Sequence, residues 1–380
     1  MRVLLVLGHS FQTQQALWEE VSRRDVDLHV AFTLDIPRGE AVGPPDFGTQ
    51  HELAGVRVRG DRPTWMAYRG LGPLIGGLKP ELVHVLNEPW SAVVRQATHA
   101  RPRLVTHGAE NLWDQGSRLE AVARRRATQR NLRKLSGFVS WNNKGVALAR
   151  ERGLPPAAPT LVLSAELPRL ERFIHPESRR AAGRERWGLD DEFVIGYVGR
   201  LVAEKGIPWL LASWRAANLP DNTRLVLIGS GPLEATIRAA ATADPRIRLN
   251  GPVPFEQVPT VMASLDALVL PSVTTRDWCE QYGRVITEAM ASGVPVIASD
   301  CGAIPEVVGG AGIIVSEGSV AELAATLRRV AVDPAFHRTL ADASLVRAQT
   351  AFSPAVEAGR LRDFWEAVAG RSTMTYIDGP

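Results

Sequence analysis

Short apolar runs of strand length alternate with segments of helical periodicity along most of the chain. In the first half these runs are Val3–Leu7, Leu28–Phe32, Leu82–Leu86, Leu104–Thr106 and Gly137–Trp141. Helical patterns follow several of them, and strands that alternate with helices form parallel sheets with helices on both faces. The pattern therefore predicts an α/β protein built from doubly wound, parallel sheets.

The length of the chain and one change in composition predict two domains. At 380 residues the chain is long for a single hydrophobic core. A polar, arginine-rich stretch, Glu166–Asp191, follows a proline-rich passage, Gly153–Thr160, and separates two alternating units. We place the two domains and the tail at residues 1–165, 166–354 and 355–380.

Composition and charge exclude several classes of protein. Charged residues make up 22% of the chain and apolar residues 45%, an ordinary soluble profile. No run approaches the roughly 18 apolar residues of a membrane span, and Met1–Gly8 resembles a first strand more than a signal peptide. A net charge of +3 without a basic–aromatic motif argues against nucleic acid as a partner. Cys279 and Cys301 lack partners at zinc-ligand spacing, and we interpret them as reduced thiols in a cytoplasmic protein.

Two carboxylates flank a glycine at the point where a helical pattern begins. Glu280 lies in the predicted loop, Gly283 follows it, and Glu288 falls about a turn and a half into the helix at roughly 3.6 residues per turn. The N–H groups at the start of a helix favour an anion, whereas carboxylates accept hydrogen bonds from hydroxyl groups. Hydroxyls on both sides of a diphosphate describe a nucleotide sugar. The alternative is a capped amphipathic helix with an exposed glutamate.

A second stretch places two cations after a predicted strand. Gly199 follows the apolar run Phe193–Val198, Arg200 comes next, and Lys205 precedes a helical segment. A guanidinium holds phosphate oxygens as a planar fork, whereas a lysine acts as a point charge. Only four of the 44 basic residues are lysines, which makes a lysine after this turn informative. The alternative is a solvated ion pair between Glu204 and Lys205 in a surface loop.

Together these stretches resemble the retaining, GT-B-fold glycosyltransferases of family 4, the group 1 glycosyl transferases. That family carries G-R-L-x-x-x-K-G and, further on, E-x-F-G-x-x-x-x-E-A-M-A-x-G-x-P-V-I-A. Tyr282 stands here in place of the usual phenylalanine. The matching segments are Gly199–Leu201, Lys205–Gly206, Glu280–Gly283, Glu288–Gly293 and Pro295–Ala298. The resemblance is specific across about residues 193–310 and much weaker before them.

The resemblance implies a fold and a reaction. The fold is the GT-B architecture, two doubly wound Rossmann-like domains facing a deep cleft, with the helix at Ala355–Ala369 returning to the first domain. The reaction is the metal-independent transfer of a sugar from a nucleoside diphosphate sugar to a hydroxyl acceptor, with retention of anomeric configuration. UDP- and GDP-sugars are the expected donors, and the acceptor is expected to be a small molecule, a glycan or a lipid-linked molecule. No cofactor is expected.

The resemblance also implies roles for the matched positions. Arg200 and Lys205 would neutralise the leaving diphosphate in place of a metal. Glu288 would hold the ribose hydroxyls, and Glu280 would hold hydroxyls of the transferred sugar. We count His107 with the catalytic residues, because the family often has a histidine at that strand end; the alternative is a histidine that caps the sheet edge. The predicted donor-binding positions are Gly8, Gly199, Arg200, Lys205, Ile228, Gly229, Val253, Glu280, Gln281, Tyr282, Gly283, Arg284, Val285 and Glu288.

The strand ends of the first half supply the weaker part of the predicted site, because ligands of open α/β sheets bind beyond the carboxyl ends of strands. Gly8 follows the first strand alone, where the family usually has a pair of glycines that approach the donor phosphate. Asn87, Glu88 and Glu110 follow two later strands, and we predict that they contact the acceptor. Trp90 could stack on a sugar or close the core.

Two other functions remain possible on this scaffold. A nucleotide-sugar epimerase acts on the donor without an acceptor and needs acid–base carboxylates in the first half, which Glu88 and Glu110 could provide. A nucleotide-sugar-binding subunit without activity would keep the second half while the first half degenerates, and the single Gly8 is the only hint of this.

Three further motifs carry less weight. Asp25–Asp27 matches the D-x-D metal motif of another glycosyltransferase fold, but it precedes a predicted strand and so lies at the wrong end of the sheet. Gly229–Gly231 lacks the third glycine of a dinucleotide-binding loop. In the basic segment Arg118–Lys134, Arg126 and Arg130 interrupt the apolar side of the helical wheel, so we predict no stable membrane insertion.

Overall fold

The computed structural model of the chain describes residues 1–7, 14–35, 44–58, 65–108, 118–164, 169–173, 177–372 and 376–377. The chain divides into two units. Unit 1 comprises Met1–Leu167 together with Pro354–Pro380, and unit 2 comprises Pro168–Ser353. The chain therefore leaves unit 1, forms unit 2 and then returns to unit 1.

The secondary structure elements are numbered in chain order. The strands are β1 (Arg2–Leu7), β2 (Asp27–Phe32), β3 (Thr49–Glu52), β4 (Gly55–Arg57), β5 (Met66–Tyr68), β6 (Leu82–Leu86), β7 (Leu104–Gly108), β8 (Gly137–Ser140), β9 (Thr160–Val162), β10 (Phe193–Val198), β11 (Thr223–Ile228), β12 (Ile247–Asn250), β13 (Ala267–Leu270), β14 (Val296–Ser299), β15 (Ile313–Val315) and β16 (Tyr376–Ile377). The helices are α1 (Gln15–Ser22), α2 (Leu71–Leu78), α3 (Ala92–His99), α4 (Arg118–Leu132), α5 (Asn143–Glu151), α6 (Leu170–Phe173), α7 (Glu177–Arg186), α8 (Ile207–Ala216), α9 (Glu234–Ala243), α10 (Val258–Ser264), α11 (Arg284–Ala291), α12 (Ile304–Val308), α13 (Val320–Val332), α14 (Pro334–Ala351) and α15 (Pro354–Val368).

Unit 1 is built on an eight-stranded sheet whose strand order reverses at β1. The order is β16-β9-β8-β7-β6-β1-β2-β3, and its neighbouring strands are parallel. After β1 the chain adds β2 and β3 on one side, and then adds β6 to β9 on the other. In open α/β sheets, ligands bind beyond the carboxyl ends of the strands at such a reversal. In unit 1 that position lies between β1 and β6.

A two-stranded antiparallel ribbon, β4 paired with β5, is fixed beside this reversal. The hydroxyl of Tyr68 in β5 donates a hydrogen bond to the carbonyl oxygen of Leu7, the last residue of β1. The amide of Gln96 in α3 bonds both the N–H and the carbonyl oxygen of Tyr68, at 2.8 and 2.7 Å. These bonds hold the ribbon to the carboxyl end of the sheet.

The helix α15 belongs to the core of unit 1. Its Trp365 stacks on Trp18 of α1 with ring centroids 6.5 Å apart, and neither side chain is accessible to solvent. The indole N–H of Trp365 also donates to Nδ1 of His84 in β6 at 3.2 Å. Removing a buried tryptophan ring costs about 3–5 kcal/mol. The last helix is therefore an integral part of the fold of unit 1.

Unit 2 contains a six-stranded parallel sheet with its own reversal. The strand order is β12-β11-β10-β13-β14-β15. From β10 the chain adds β11 and β12 on one side, and then crosses to add β13, β14 and β15 on the other. The reversal therefore lies between β10 and β13, and the loops that follow these two strands start side by side at the carboxyl edge of the sheet.

The predicted doubly wound, parallel α/β fold is confirmed, and the differences concern particular elements. β7 was predicted to end at Thr106, but it continues to Gly108 because His107 pairs with Val139 of β8. The edge strand β3 was missed, because its sequence, Thr49–Glu52, is polar and mostly exposed.

In the helix α4, the apolar side of the helical wheel, which includes Val122 and Ala123, faces away from the core. Val122 is 45% exposed and Ala123 is also exposed, whereas Thr128, Asn131 and Leu132 are buried. A largely polar face of α4 therefore packs on unit 1, which the helical wheel did not predict. Within the part of the chain that the structure describes, no helix combines the length and apolar character needed to cross a bilayer.

Candidate active site

The loop after β10 is held to the loop after β11 at the carboxyl edge of unit 2. The N–H of Gly199 donates to the carbonyl oxygen of Ile228 at 3.0 Å, and the N–H of Leu201 donates to that of Ser230 at 2.9 Å. The buried hydroxyl of Tyr197 donates to the carbonyl oxygen of Arg200 at 2.6 Å. The backbone at Arg200 is thus fixed, while its side chain remains 61% exposed and lies 3.6 Å from Glu204.

Gly206 lets the lysine turn approach the loop after β13. Its φ is 71°, and a Cβ at this position would lie 1.7 Å from the carbonyl oxygen of Pro271. The N–H of Val273 donates to the carbonyl oxygen of Glu204 at 2.8 Å, so the two loops also share a backbone hydrogen bond. The turn that carries Lys205 is therefore set directly against the loop that leads to Glu280.

Lys205 and Glu280 form an ion pair at the point where the strand order reverses. Nζ of Lys205 lies 2.5 Å from Oε2 of Glu280, and the two side chains are only 15% and 10% exposed. The hydroxyl of Ser272 donates to the same oxygen at 3.0 Å. The ammonium also lies 5.0 Å from the centroid of the Trp278 ring, within reach of a cation–π interaction. The lysine is thus held by a carboxylate and an aromatic face.

The loop after β14 supports Glu280 from below. The N–H of Ala303 donates to the carbonyl oxygen of Glu280 at 3.0 Å, and the N–H of Glu280 donates to Sγ of Cys301 at 3.5 Å. Gly302 is required here, because its φ is 61° and a Cβ would lie 2.1 Å from the carbonyl oxygen of Glu280. Burial raises the pKa of the Cys301 thiol to about 11, so this sulfur stays protonated. Cys279 and Cys301 are both buried.

The helix α11 begins at Arg284, directly after Gly283, which adopts a left-handed conformation with φ of 82°. The first-turn N–H groups of a helix form an anion-binding site with its dipole. Glu288 is 5% exposed on this helix, and Nε of Arg284 lies 3.4 Å from its carboxylate. The guanidinium of Arg284 also lies 5.8 Å from the centroid of the Phe255 ring.

The predicted donor-binding residues of unit 2 all lie at the carboxyl ends of β10 to β13 or on α11. The N–H of Gly229, after β11, donates to the carbonyl oxygen of Asn250 at the end of β12, and Val253 follows that strand. Sequence analysis missed Ser272, Trp278 and Gly302. Their position after strand ends was the available signal for them.

His107 is enclosed in unit 1. It is 7% exposed, and its ring stacks on that of His84 with centroids 5.4 Å apart and planes 10° apart. Burial lowers the pKa of His107 to about 3, and burial followed by the neighbouring His107 lowers that of His84 well below its usual range. Neither ring nitrogen of His107 has a hydrogen-bond partner among the described residues. A neutral imidazole can donate one hydrogen bond and accept another, but it does not supply a positive charge at neutral pH.

The loop after β6 carries two of the predicted acceptor residues. Asn87 is 3% exposed, and its side-chain oxygen accepts from the N–H of Glu88 at 2.9 Å. Thr106 donates to the carbonyl oxygen of Asn87, and the side-chain amide of Asn131 in α4 donates to that of Pro89 at 2.8 Å. This loop is therefore held by β7 and α4. Two other predicted site residues, Gly8 and Glu110, lie outside the described residues.

The D-x-D segment, Asp25–Asp27, lies at the amino end of β2, opposite the carboxyl edge of the unit 1 sheet. Asp27 begins β2, and its Oδ2 accepts from Nε of Arg2 at 2.6 Å. This hydrogen bond lowers the pKa of Asp27 below its ordinary value. Over the described ranges, no group of three His, Cys, Asp or Glu side chains is arranged to hold a metal ion.

The two parallel α/β units, with loops that meet at the strand reversal of unit 2, define the GT-B class of architecture. Over residues 192–333 the chain matches the family described as glycosyl transferases group 1. The resemblance found in the sequence is thereby confirmed over the matched part of unit 2.

Two curated relatives and a solved structure also resemble this chain. The chain is 37% identical over 198 residues to the 2-deoxystreptamine glucosyltransferase of Streptomyces kanamyceticus, which covers 46% of this chain and 49% of that protein. It is 32% identical over 174 residues to the GDP-mannose-dependent alpha-(1-6)-phosphatidylinositol monomannoside mannosyltransferase of Mycolicibacterium smegmatis, with 43% and 45% covered. The chain spans about half the length of the curated relatives it matches.

The structure of HepE from Anabaena in complex with UDP-glucose matches nearly the whole chain. The TM-score is 0.68 at 18% identity, over 97% of this chain and 100% of that one. At this identity the match shows the fold alone.

Proposed function

We propose that this protein is a glycosyltransferase that moves a sugar from a nucleoside diphosphate sugar to a hydroxyl group, without a metal ion and with retention of anomeric configuration. The observation that carries the proposal is the buried pair of Lys205 with Glu280 at the strand reversal of unit 2, next to the start of α11. The two relatives named above are both glycosyltransferases, which supports the reaction class.

The cations of the first loop and the start of α11 would receive the leaving diphosphate. Arg200 reaches solvent on a fixed backbone, and a guanidinium binds phosphate oxygens as a planar fork. The ammonium of Lys205 carries three donors, so one can remain on Glu280 while another meets a phosphate oxygen. The N–H groups around Gly283 and Arg284 add fixed dipoles that need no reorganisation when charge develops.

The two glutamates would bind hydroxyl groups in different parts of the donor. Glu280 is held by Lys205, Ser272 and the loop after β14, and a carboxylate so fixed can bind hydroxyls of the transferred sugar while positive charge develops there. Glu288, on α11 and beside Arg284, would bind the ribose. His107 would act from unit 1 as a neutral hydrogen-bonding group, with Asn87 and Glu88 on the acceptor side.

UDP- and GDP-sugars are the proposed donors. HepE was solved with UDP-glucose, and the mycobacterial relative is GDP-mannose-dependent. The acceptor would be a hydroxyl-bearing small molecule, glycan or lipid-linked molecule. We also propose a location in the cytoplasm, where reducing conditions keep cysteines such as the buried Cys301 as thiols.

One assay tests the proposal against its two alternatives. The protein is incubated with UDP-, GDP-, ADP- and TDP-sugars without acceptor, and both the free nucleoside diphosphate and the identity of the sugar are followed. A transferase releases nucleoside diphosphate slowly by donor hydrolysis, whereas an epimerase interconverts the sugars. A binding subunit does neither, although a cognate donor would still raise its Tm by mass action.

The reaction is expected to survive an excess of chelator. Arg200, Lys205 and the start of α11 carry the positive charge that a metal would otherwise supply to the diphosphate. Donor turnover measured before and after treatment with EDTA should agree within about twofold. Loss of turnover that magnesium or manganese restores would contradict the proposal.

The product is expected to keep the anomeric configuration of the donor sugar. Glu280 is held in an ion pair with Lys205 and Glu288 lies beside Arg284, and we assign neither carboxylate the role of a covalent nucleophile. Departure and attack on the same face of the sugar is therefore the proposed course. The proton coupling constant of the anomeric position in the product distinguishes retention from inversion. Inversion would contradict the proposed mechanism.

A further inference from the structure

The ammonium group of Lys205 is held by two groups of different kinds. Its Nζ lies 2.5 Å from Oε2 of Glu280 and 5.0 Å from the centroid of the Trp278 ring. Trp278 and Glu280 are two positions apart in the loop between β13 and α11. One short segment therefore supplies the lysine with both a carboxylate and an aromatic face, and only the carboxylate has been given a role so far.

Hydrogen bonds fix the segment that carries Trp278. The N–H of Thr275 donates to the carbonyl oxygen of Trp278 at 2.8 Å, which joins the two ends of this stretch. The N–H and the hydroxyl of Thr274 donate to the two carboxylate oxygens of Glu317 at 2.6 and 2.7 Å. The N–H of Glu317 in turn donates to Oδ1 of Asp300 at 2.8 Å. The ring is thus carried by a loop that is tied to the loops after β14 and β15.

A lysine needs such support to place its charge at a defined position. Its ammonium ends a flexible four-carbon stem, so contact with one carboxylate leaves it considerable freedom. An aromatic face attracts a cation through the negative side of its quadrupole and adds no negative charge. A second carboxylate at the same place would neutralise the ammonium, whereas a ring restrains it and leaves its charge available.

Filling of the core does not account for the ring. Trp278 keeps part of its surface in solvent, whereas Trp214 of the same unit is 1% exposed. The side chain of Lys205 is only 15% exposed. Partial burial strengthens a cation–π interaction, because less water competes for the cation. The position of the ring therefore suits a contact with the ammonium better than a role in packing.

We propose that Trp278 is a positioning residue that acts through Lys205, an inference that rests on the proposed function. Glu280 takes one of the three N–H donors of the ammonium, and the Trp278 ring covers another side of it. The orientation of the ammonium is thereby set before a diphosphate binds. Less reorganisation is then needed when negative charge develops on the leaving group.

Lysine-selective NMR of the full chain measures the contact between the ring and the lysine. Carbon-13-labelled lysine gives few signals, because the chain has only four lysines, at positions 79, 134, 144 and 205. The ε-methylene signal of Lys205, assigned with Lys205→Arg, is expected to be shifted upfield by the ring current of Trp278. Trp278→Leu should remove the shift and Trp278→Phe should keep part of it. Trp187→Leu, which removes a partly exposed tryptophan of unit 2, should leave it unchanged.

A double-mutant cycle tests whether the ring acts through the lysine. Inorganic pyrophosphate, which carries the diphosphate charge without a nucleobase, is titrated into the wild type, the two single variants and the double variant. Trp278→Leu alone is expected to weaken binding about fivefold. In a protein that already carries Lys205→Ala, Trp278→Leu should change binding by less than about twofold. The rate of donor hydrolysis at saturating donor is expected to follow the same pattern.

The proposal is overturned if the Lys205 signal shows no upfield shift, if the wild type does not bind pyrophosphate, or if Trp278→Leu binds it as well as the wild type does. It is also overturned if Trp278→Leu has the same effect with and without Lys205, because the ring would then contact the ligand directly. Trp278→Phe keeps the tests valid if the leucine variant does not fold. A wild type that follows the predicted binding pattern but hydrolyses no donor would contradict the proposed function alone.

Discussion

Replacement of Lys205 by alanine is expected to lower kcat by 10²-fold or more. The lost ammonium would otherwise stabilise the charge that develops on the leaving diphosphate, and a 10²-fold change corresponds to about 3 kcal/mol. Initial rates at saturating donor measure the effect. Lys134→Ala removes an exposed lysine of unit 1 and is the matched control.

The ion pair with Glu280 adds an effect on stability that must be separated from the effect on rate. Removal of Lys205 leaves the Glu280 carboxylate, which is only 10% exposed, without its cation. Breaking a buried pair in this way costs about 3–5 kcal/mol of stability. The double variant Lys205→Ala with Glu280→Gln should recover Tm without recovering the rate. A single Lys205→Ala variant that folds and keeps its rate within tenfold of the wild type would contradict the proposed role.

The two glutamates are expected to affect different kinetic constants. Glu280→Gln should lower kcat by about 10²-fold with little change in donor affinity, because its charge acts on the developing positive charge of the sugar. Glu288→Ala should weaken donor binding by about tenfold or more, because hydrogen bonds to a charged group are worth about 1.5–3 kcal/mol. Donor titration by calorimetry and single-turnover rates separate the two constants.

These roles are contradicted if the two variants have the same effect. If both variants weaken donor binding equally and leave the chemical rate intact, then both glutamates bind the ground state of the donor. Glu185→Ala, which changes an exposed glutamate of α7, controls for the removal of a carboxylate from unit 2.

The candidate site of unit 2 could be predicted from the sequence because its residues lie in short motifs that follow strands. Turns are marked by Gly199, Gly206 and Gly283. The charged residues of the site lie within a few positions of these glycines. The partners of Glu280 could not be predicted in the same way. Ser272 lies eight residues before Glu280 in the same loop, but Lys205 and Cys301 lie on loops that follow two other strands, β10 and β14. Only the order of strands in the sheet brings these loops together.

Unit 1 was less predictable, because its important contacts join distant parts of the chain. His107 stacks on His84, and His84 accepts a hydrogen bond from Trp365, 281 positions further on. No local pattern encodes such a pair. The face of α4 that packs on unit 1 could not be predicted from the helical wheel for a related reason. Asn131 faces the loop that carries Pro89 and donates a hydrogen bond to its carbonyl oxygen, so a polar contact and not hydrophobicity selects this face.

The place of α15 in unit 1 has a consequence for the order in which the protein is made. A ribosome delivers a chain from its amino end, and domains usually fold as they emerge. Every residue of unit 2, Pro168–Ser353, leaves the ribosome before Trp365 does. The partners of that ring, Trp18 and His84, are therefore made early and cannot pack against it until α15 has been made. Unit 1 is thus completed only after the whole of unit 2 has left the ribosome.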